Sequence, residues 1–160
     1  MQKINLNKIN SKIIWESRFI FMKVKDLMTN HICCVAPDMT LENASKLMCG
    51  ADIGVVPVCD TNGIVGIVTD RDIITRGISK GFGPHEKIEK IMTRNVVSIA
   101  PEADIKDAVK LMSDKQIRRL PVISGKDIVG MISVGDLARC GKLDAEVAKA
   151  EHGIAEMYKV

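Results

Sequence analysis

Residues 64–73 read IVGIVTDRDI and residues 128–137 read IVGMISVGDL, and this agreement decides how the chain is divided. Followed outward, the match carries residues 24–77 onto residues 88–141 at a constant offset of 64, with no gap. LMTNHICCVAP (27–37) falls on IMTRNVVSIAP (91–101), ASKLM (44–48) on AVKLM (108–112), and IGVVPV (53–58) on IRRLPV (117–122). Pro37 lies on Pro101, Pro57 on Pro121 and Gly66 on Gly130. Prolines and glycines constrain the backbone, so their ungapped repetition marks two copies of one structural unit.

Each copy predicts strand, helix, strand, strand, helix. ICCVA (32–36) is β-rich and closed by Pro37. Leu41, Ala44, Leu47 and Met48 recur at helical spacing, with Asp38 and Thr40 available as caps. VVPV and IVGIVT are apolar strands joined by CDTNG, whose Asn62-Gly63 step is a hairpin signal. DRDIITRG reads as a second helix ending at Gly77, with Gly141 in that place in the second copy. A unit of about 55 residues has a marginal core by itself. The expected fold class is therefore α/β (α+β), with two repeats packed sheet to sheet. The expected divisions are an extension 1–22, a first repeat 23–80, a linker 81–87, a second repeat 88–142 and a helical tail 143–160. In that tail Leu143, Val147 and Ile154 share a face fit for capping the pair or for a dimer contact.

Composition narrows the function classes. With 46% apolar and 27% charged residues the chain predicts a folded domain. A net charge of +3, with no concentrated basic face, argues against direct contact with nucleic acid. No run of about 18 apolar residues is present, so no membrane helix is expected. Residues 1–21 are basic, but Glu16 and Arg18 interrupt the apolar run and no small-residue cleavage site follows. They read as a disordered extension or an upstream start, with a partner-binding or membrane-surface helix as the alternative. The five cysteines, Cys33, Cys34, Cys49, Cys59 and Cys140, are odd in number and lack a C-x-x-C pair. Free thiols in a reducing cytoplasm are expected, with one of Cys33 and Cys34 in the core. His31, His85 and His152 show no ligand spacing, and no metal site is expected.

The repeated junction carries the chemistry. In both copies a strand ends in a hydroxyl residue and an aspartate follows three positions later: Thr69 with Asp72, and Ser133 with Asp136. One reading is a helix cap, the hydroxyl at the N-cap and the carboxylate near the positive helix end. The other is a nucleotide site, in which free helix amides and the hydroxyl hold phosphate and the carboxylate holds a ribose. No G-x-G-x-x-G or G-x-x-x-x-G-K-[ST] loop is present. Nothing pairs a nucleophile with a base, so no catalytic residue is expected. Arg118 and Arg119 interrupt an otherwise apolar strand, and an unpaired guanidinium is costly to bury. In the first copy Gly54 and Val55 stand in their places.

These stretches resemble tandem cystathionine-β-synthase (CBS) domains, the Bateman module in its standalone bacterial or archaeal form, over residues 23–141. The resemblance implies pseudo-twofold packing with two clefts for adenine nucleotides or related adenosyl ligands. It implies that Thr69 with Asp72 and Ser133 with Asp136 hold ribose and phosphate. It further implies that Arg118 and Arg119 face the phosphates of the ligand whose ribose the first repeat holds, leaving the second cleft empty, weaker or tuned to a less charged ligand. The expected function is a regulatory module that senses AMP, ADP or ATP, without an obligatory cofactor. It would signal as a homodimer or on a protein partner in trans. A subunit of a nucleic-acid-associated regulator and a purely structural dimerisation module are the alternatives.

Overall fold

The computed structural model describes residues 22–139 together with Ala148. The expectations placed on residues 1–21, on Cys140, Gly141 and His152, and on the remainder of the tail lie outside the described residues. In chain order the elements are α1 (Leu41–Ala51), β1 (Val55–Asp60), β2 (Gly63–Thr69) and α2 (Asp70–Asp72). They are followed by α3 (Ile105–Lys115), β3 (Arg119–Ser124), β4 (Asp127–Ser133) and α4 (Val134–Arg139). β1 pairs antiparallel with β2, and β3 with β4 forms a second two-stranded sheet. The mixed α and β content expected from the periodicity is present in both repeats.

The local causes are those the residue types supply. Thr40 caps α1 by accepting from the Asn43 N–H at 3.2 Å, and Leu41, Ala44 and Met48 turn inward at helical spacing. The turn of the first hairpin is Thr61-Asn62, fixed by the Asn62 N–H on the Asp60 carboxylate at 2.7 Å. Gly63 then takes φ +111°, a conformation costly for any side chain, and sits against the Lys126 carbonyl.

Three expectations are corrected. ICCVA is not a strand: only Val35 bridges β1, donating to Pro57 O at 3.0 Å and accepting from Cys59 N at 2.9 Å. In a parallel ladder the next rungs would need an N–H from Pro57 on one side and from Pro37 on the other, and proline has none. Pro121 and Pro101 limit the second copy in the same way, leaving the single bridge of Ile99 to Val122. With no strand there, Cys33 and Cys34 do not alternate faces, and both are exposed. Gly77 does not end the second helix, because α2 continues as a π turn (Ile73–Gly77) and a 3-10 turn (Ile78–Lys80). Gly81, at φ +79°, ends it. Gly77 instead allows close packing, since a Cβ there would lie 3.2 Å from Leu41 Cδ1.

The repeats exchange their leading segments. Thr93 pairs with Ile67 on β2, and Thr29 pairs with Met131 on β4, the same bridge displaced by 64 residues. Ile88 N–H donates to Met39 O at 2.9 Å and Val24 N–H to Ala103 O at 2.9 Å, again related by the offset. Lys87 bridges Thr40 as Lys23 bridges Asp104. Residues of the expected linker are thereby pinned: Leu41 N–H donates to Glu86 O at 2.8 Å and Glu42 N–H to Pro84 O at 3.0 Å. Ile88, Ile91 and Met92 complete the core formed by Val35, Leu41, Ala44, Val56, Val58 and Val68.

The two compact units of the chain are consequently not the two repeats. One comprises Thr29–Ala100 and Leu120–Met131, and the other contains residues 22–28, Pro101–Arg119 and 132–139. Ile88 is fully buried, so Ile88→Ala is expected to cost about 2–5 kcal/mol of stability. Ile78→Ala, at a position 58% exposed, should stay within about 0.5 kcal/mol of the parent. Chemical denaturation of both variants checks the contrast.

Candidate functional site

The two hydroxyl–aspartate pairs form at the strand-to-helix junctions. Asp72 Oδ2 accepts from Thr69 N at 3.0 Å and from Thr69 Oγ1 at 2.7 Å, while Thr69 Oγ1 accepts from Asp72 N at 3.1 Å. Ser133 and Asp136 repeat the arrangement, with Asp136 Oδ2 accepting from Ser133 N at 2.8 Å and Ser133 Oγ at 2.5 Å. Both are complete capping boxes. Asp72 Oδ1 faces Arg76 Nε at 3.3 Å, and Arg139 donates to Asp136 Oδ1. Arg76 also donates to Thr93 Oγ1 at 2.8 Å, tying the first junction to the leading segment of the second repeat.

These bonds correct the simple picture of a phosphate cradle. The Thr69 hydroxyl donates to Asp72 and therefore offers a ligand an acceptor, not a donor. No amide is free at the first junction: Asp70 N–H goes to Gly54 O at 3.2 Å, Arg71 N–H to Asp70 Oδ1 at 2.7 Å, and Asp72 N–H to Thr69. In the second copy Val134 replaces Asp70 and brings no side-chain acceptor to the Gly135 N–H. The carboxylates keep capacity, since Oδ1 of each aspartate has one charged partner and room for a hydroxyl donor.

Arg118 and Arg119 are both exposed, and neither guanidinium has a partner among the described residues. The Arg118 carbonyl accepts from Val134 N–H at 3.0 Å, immediately after Ser133. The arginines thus belong to the compact unit that holds Ser133 and Asp136, and Thr69 with Asp72 belongs to the other. Gly54, the counterpart of Arg118, lies against Asp70: a Cβ there would come within 2.9 Å of Asp70 Oδ2. Asp70 was not singled out by its spacing, yet it occupies an amide, crowds residue 54 and adds a negative charge. Its signal in the sequence is the Asp70-for-Val134 difference between copies.

A groove of about 440 Å³ opens beside the first junction, with Met48, Ile53, Ile73 and Ile74 as apolar lining and Asp52 and Asp70 as polar lining. Among the described residues, no group of three or more His, Cys, Asp or Glu side chains could hold a metal ion, and no helix is long and apolar enough to cross a membrane.

Comparison with known proteins bears on the sequence duplication. The family model described as CBS domain matches twice, at residues 24–78 and 88–142. The chain belongs to the CBS domain family. The CBS domain-containing protein YhcV of Bacillus subtilis is 36% identical over 115 residues, covering 72% of this chain and 82% of that protein. The crystal structure of Hypoxic Response Protein I, with two coordinated zinc ions, is 32% identical with a TM-score of 0.68, covering 74% of this chain and 98% of that one. The CBS domain pair of MJ0100, in complex with 5′-methylthioadenosine and S-adenosyl-L-methionine, is 26% identical with a TM-score of 0.68. That match covers 74% of this chain and 94% of the MJ0100 chain.

The capping boxes of the two CBS repeats stabilise their helices whatever they bind. Thr69→Ala and Ser133→Ala are each expected to lower the unfolding free energy by about 0.5–2 kcal/mol. Urea titration of each variant without added ligand measures that contribution.

Proposed function

We propose that this CBS pair is a regulatory module that binds adenine nucleotides and signals through a partner or a rearranged dimer, without catalysis. The observation that carries the reading is the duplicated junction: a buried or half-buried aspartate, oriented by its own capping box, presents one carboxylate oxygen at the end of an apolar strand. A ribose hydroxyl can donate to that oxygen without breaking the cap. Thr69 with Asp72, and Ser133 with Asp136, are the proposed ribose-holding pairs. Arg118 and Arg119 are the proposed counter-charge for phosphate, since two exposed guanidiniums without partners among the described residues match a polyanion in charge and fork geometry. The adenosyl ligands of MJ0100 support the ligand class. A homodimer and a cytoplasmic setting are part of the proposal.

Ligand choice follows from charge. S-adenosylmethionine carries a sulfonium cation and no phosphate, so an exposed arginine pair disfavours it and favours AMP, ADP or ATP. Competition calorimetry should show ATP displacing S-adenosylmethionine, and Arg118→Ala/Arg119→Ala should lower ATP affinity while leaving adenosine affinity unchanged. The double variant should also flatten the salt dependence of ATP binding, because fewer charges are paired. Asp72→Ala should weaken a binding event by about 10- to 100-fold, the loss of one charge-assisted hydrogen bond. Absence of binding heat with AMP, ADP or ATP at millimolar concentration contradicts the proposal and leaves the boxes as caps alone.

A further inference from the structure

Cys34 and Cys59 lie far apart in sequence, yet the Cys59 thiol donates to Cys34 Sγ with the sulfurs 3.0 Å apart. The contact is held from the backbone. Val35 N–H donates to Pro57 O at 3.0 Å and Cys59 N–H to Val35 O at 2.9 Å, so the two cysteines flank a fixed parallel bridge. The pairing is confined to the first repeat, because the counterparts of Cys34 and Cys59 at the offset of 64 are Ser98 and Ile123. Cys34 is exposed and open to a small oxidant, whereas Cys59 is half-buried. Burial, followed by the contact with Cys34, pushes the Cys59 thiol up to about 12 and keeps it protonated at neutral pH. The two sulfurs therefore differ in access.

We propose that Cys34 and Cys59 are a redox modification site, which a hydroperoxide converts to an intrachain disulfide joining the leading segment of the first repeat to β1. Cys34 as thiolate attacks the peroxide O–O bond, becoming a sulfenic acid while the distal oxygen leaves and takes up a proton. Cys59 sulfur then attacks Cys34 sulfur, the S–S bond forms, and the hydroxyl departs as water with the Cys59 proton. Two thiols are oxidised, and one hydrogen peroxide is reduced to two waters. Closing this loop restricts the unfolded chain and converts a two-hydrogen-bond bridge into a covalent one. A dithiol reductant reverses it.

The test treats the reduced full-length chain with stoichiometric hydrogen peroxide, alkylates remaining thiols and maps peptides without reduction. Cys59 shares its tryptic peptide with Cys49, so the mapping is repeated in Cys33→Ser/Cys49→Ser, both exposed positions. The expected result is a Cys34–Cys59 link in parent and double variant, within a single chain on a non-reducing gel, and lost with dithiothreitol. In Cys59→Ser, Cys34 should stop at the sulfenic acid and be trapped by dimedone, while in Cys34→Ser the Cys59 thiol should stay alkylatable. Alkylation of both cysteines after treatment overturns the proposal, as does a link through Cys33 or Cys49, or a link between two chains.

Discussion

The structure depends on a reciprocal exchange: each repeat is completed by the segment that leads into the other. Residues 88–93 bring Ile88, Ile91 and Met92 into the core of the first repeat and pair Thr93 with Ile67. Residues 24–29 serve the second repeat, with Val24 fully buried and Thr29 paired with Met131. Each fully buried aliphatic side chain contributes roughly 1.5–3 kcal/mol, a large share of the margin of a unit this small. Folding of one repeat therefore draws on the chain of the other.

That constraint also positions the junctions. β2 carries Thr69 at its end and Ile67 two residues earlier, so the strand that bonds the exchanged segment is the one that delivers the capping box. Arg76 closes the link, touching Asp72 on one side and Thr93 on the other. In the second copy the partner of Asp136 is Arg139, and Met131 takes the place of Ile67. One architecture thus gives two junctions that differ in charge. The first has Asp70 seated on an amide and a glycine beneath it, and the second has the uncharged Val134 in that place.

Periodicity and the offset of 64 made the helices, hairpins and capping boxes legible, because each depends on residues close in sequence. The exchange of leading segments was not legible, since MTNH and MTRN carry no local mark of the strand each joins. The proline restriction on the first strands was present in the sequence, but it acts only once the partner strand is known. Gly77 is ambiguous in the sequence because glycine serves both helix ends and close packing, and only the contact with Leu41 separates them. Cys34 and Cys59 gave no spacing signal, as their approach is made by the Val35 bridge. At the site, the hydroxyl–aspartate pairs were readable, whereas the occupation of the amides by Asp70 required the fold.

Native-state hydrogen exchange across increasing denaturant tests the interlock most directly. Interlocked repeats predict that the bridge amides of Thr29, Ile67, Thr93 and Met131 open with the same free energy and denaturant dependence as Val35 and Cys59 in the first repeat. Ile99 and Ile123 in the second repeat should open with them, as one cooperative unit. Exchange of the four bridge amides at a much lower free energy, with separate transitions for the interiors of the two repeats, would show independent domains joined by frayed segments and contradict the interlock.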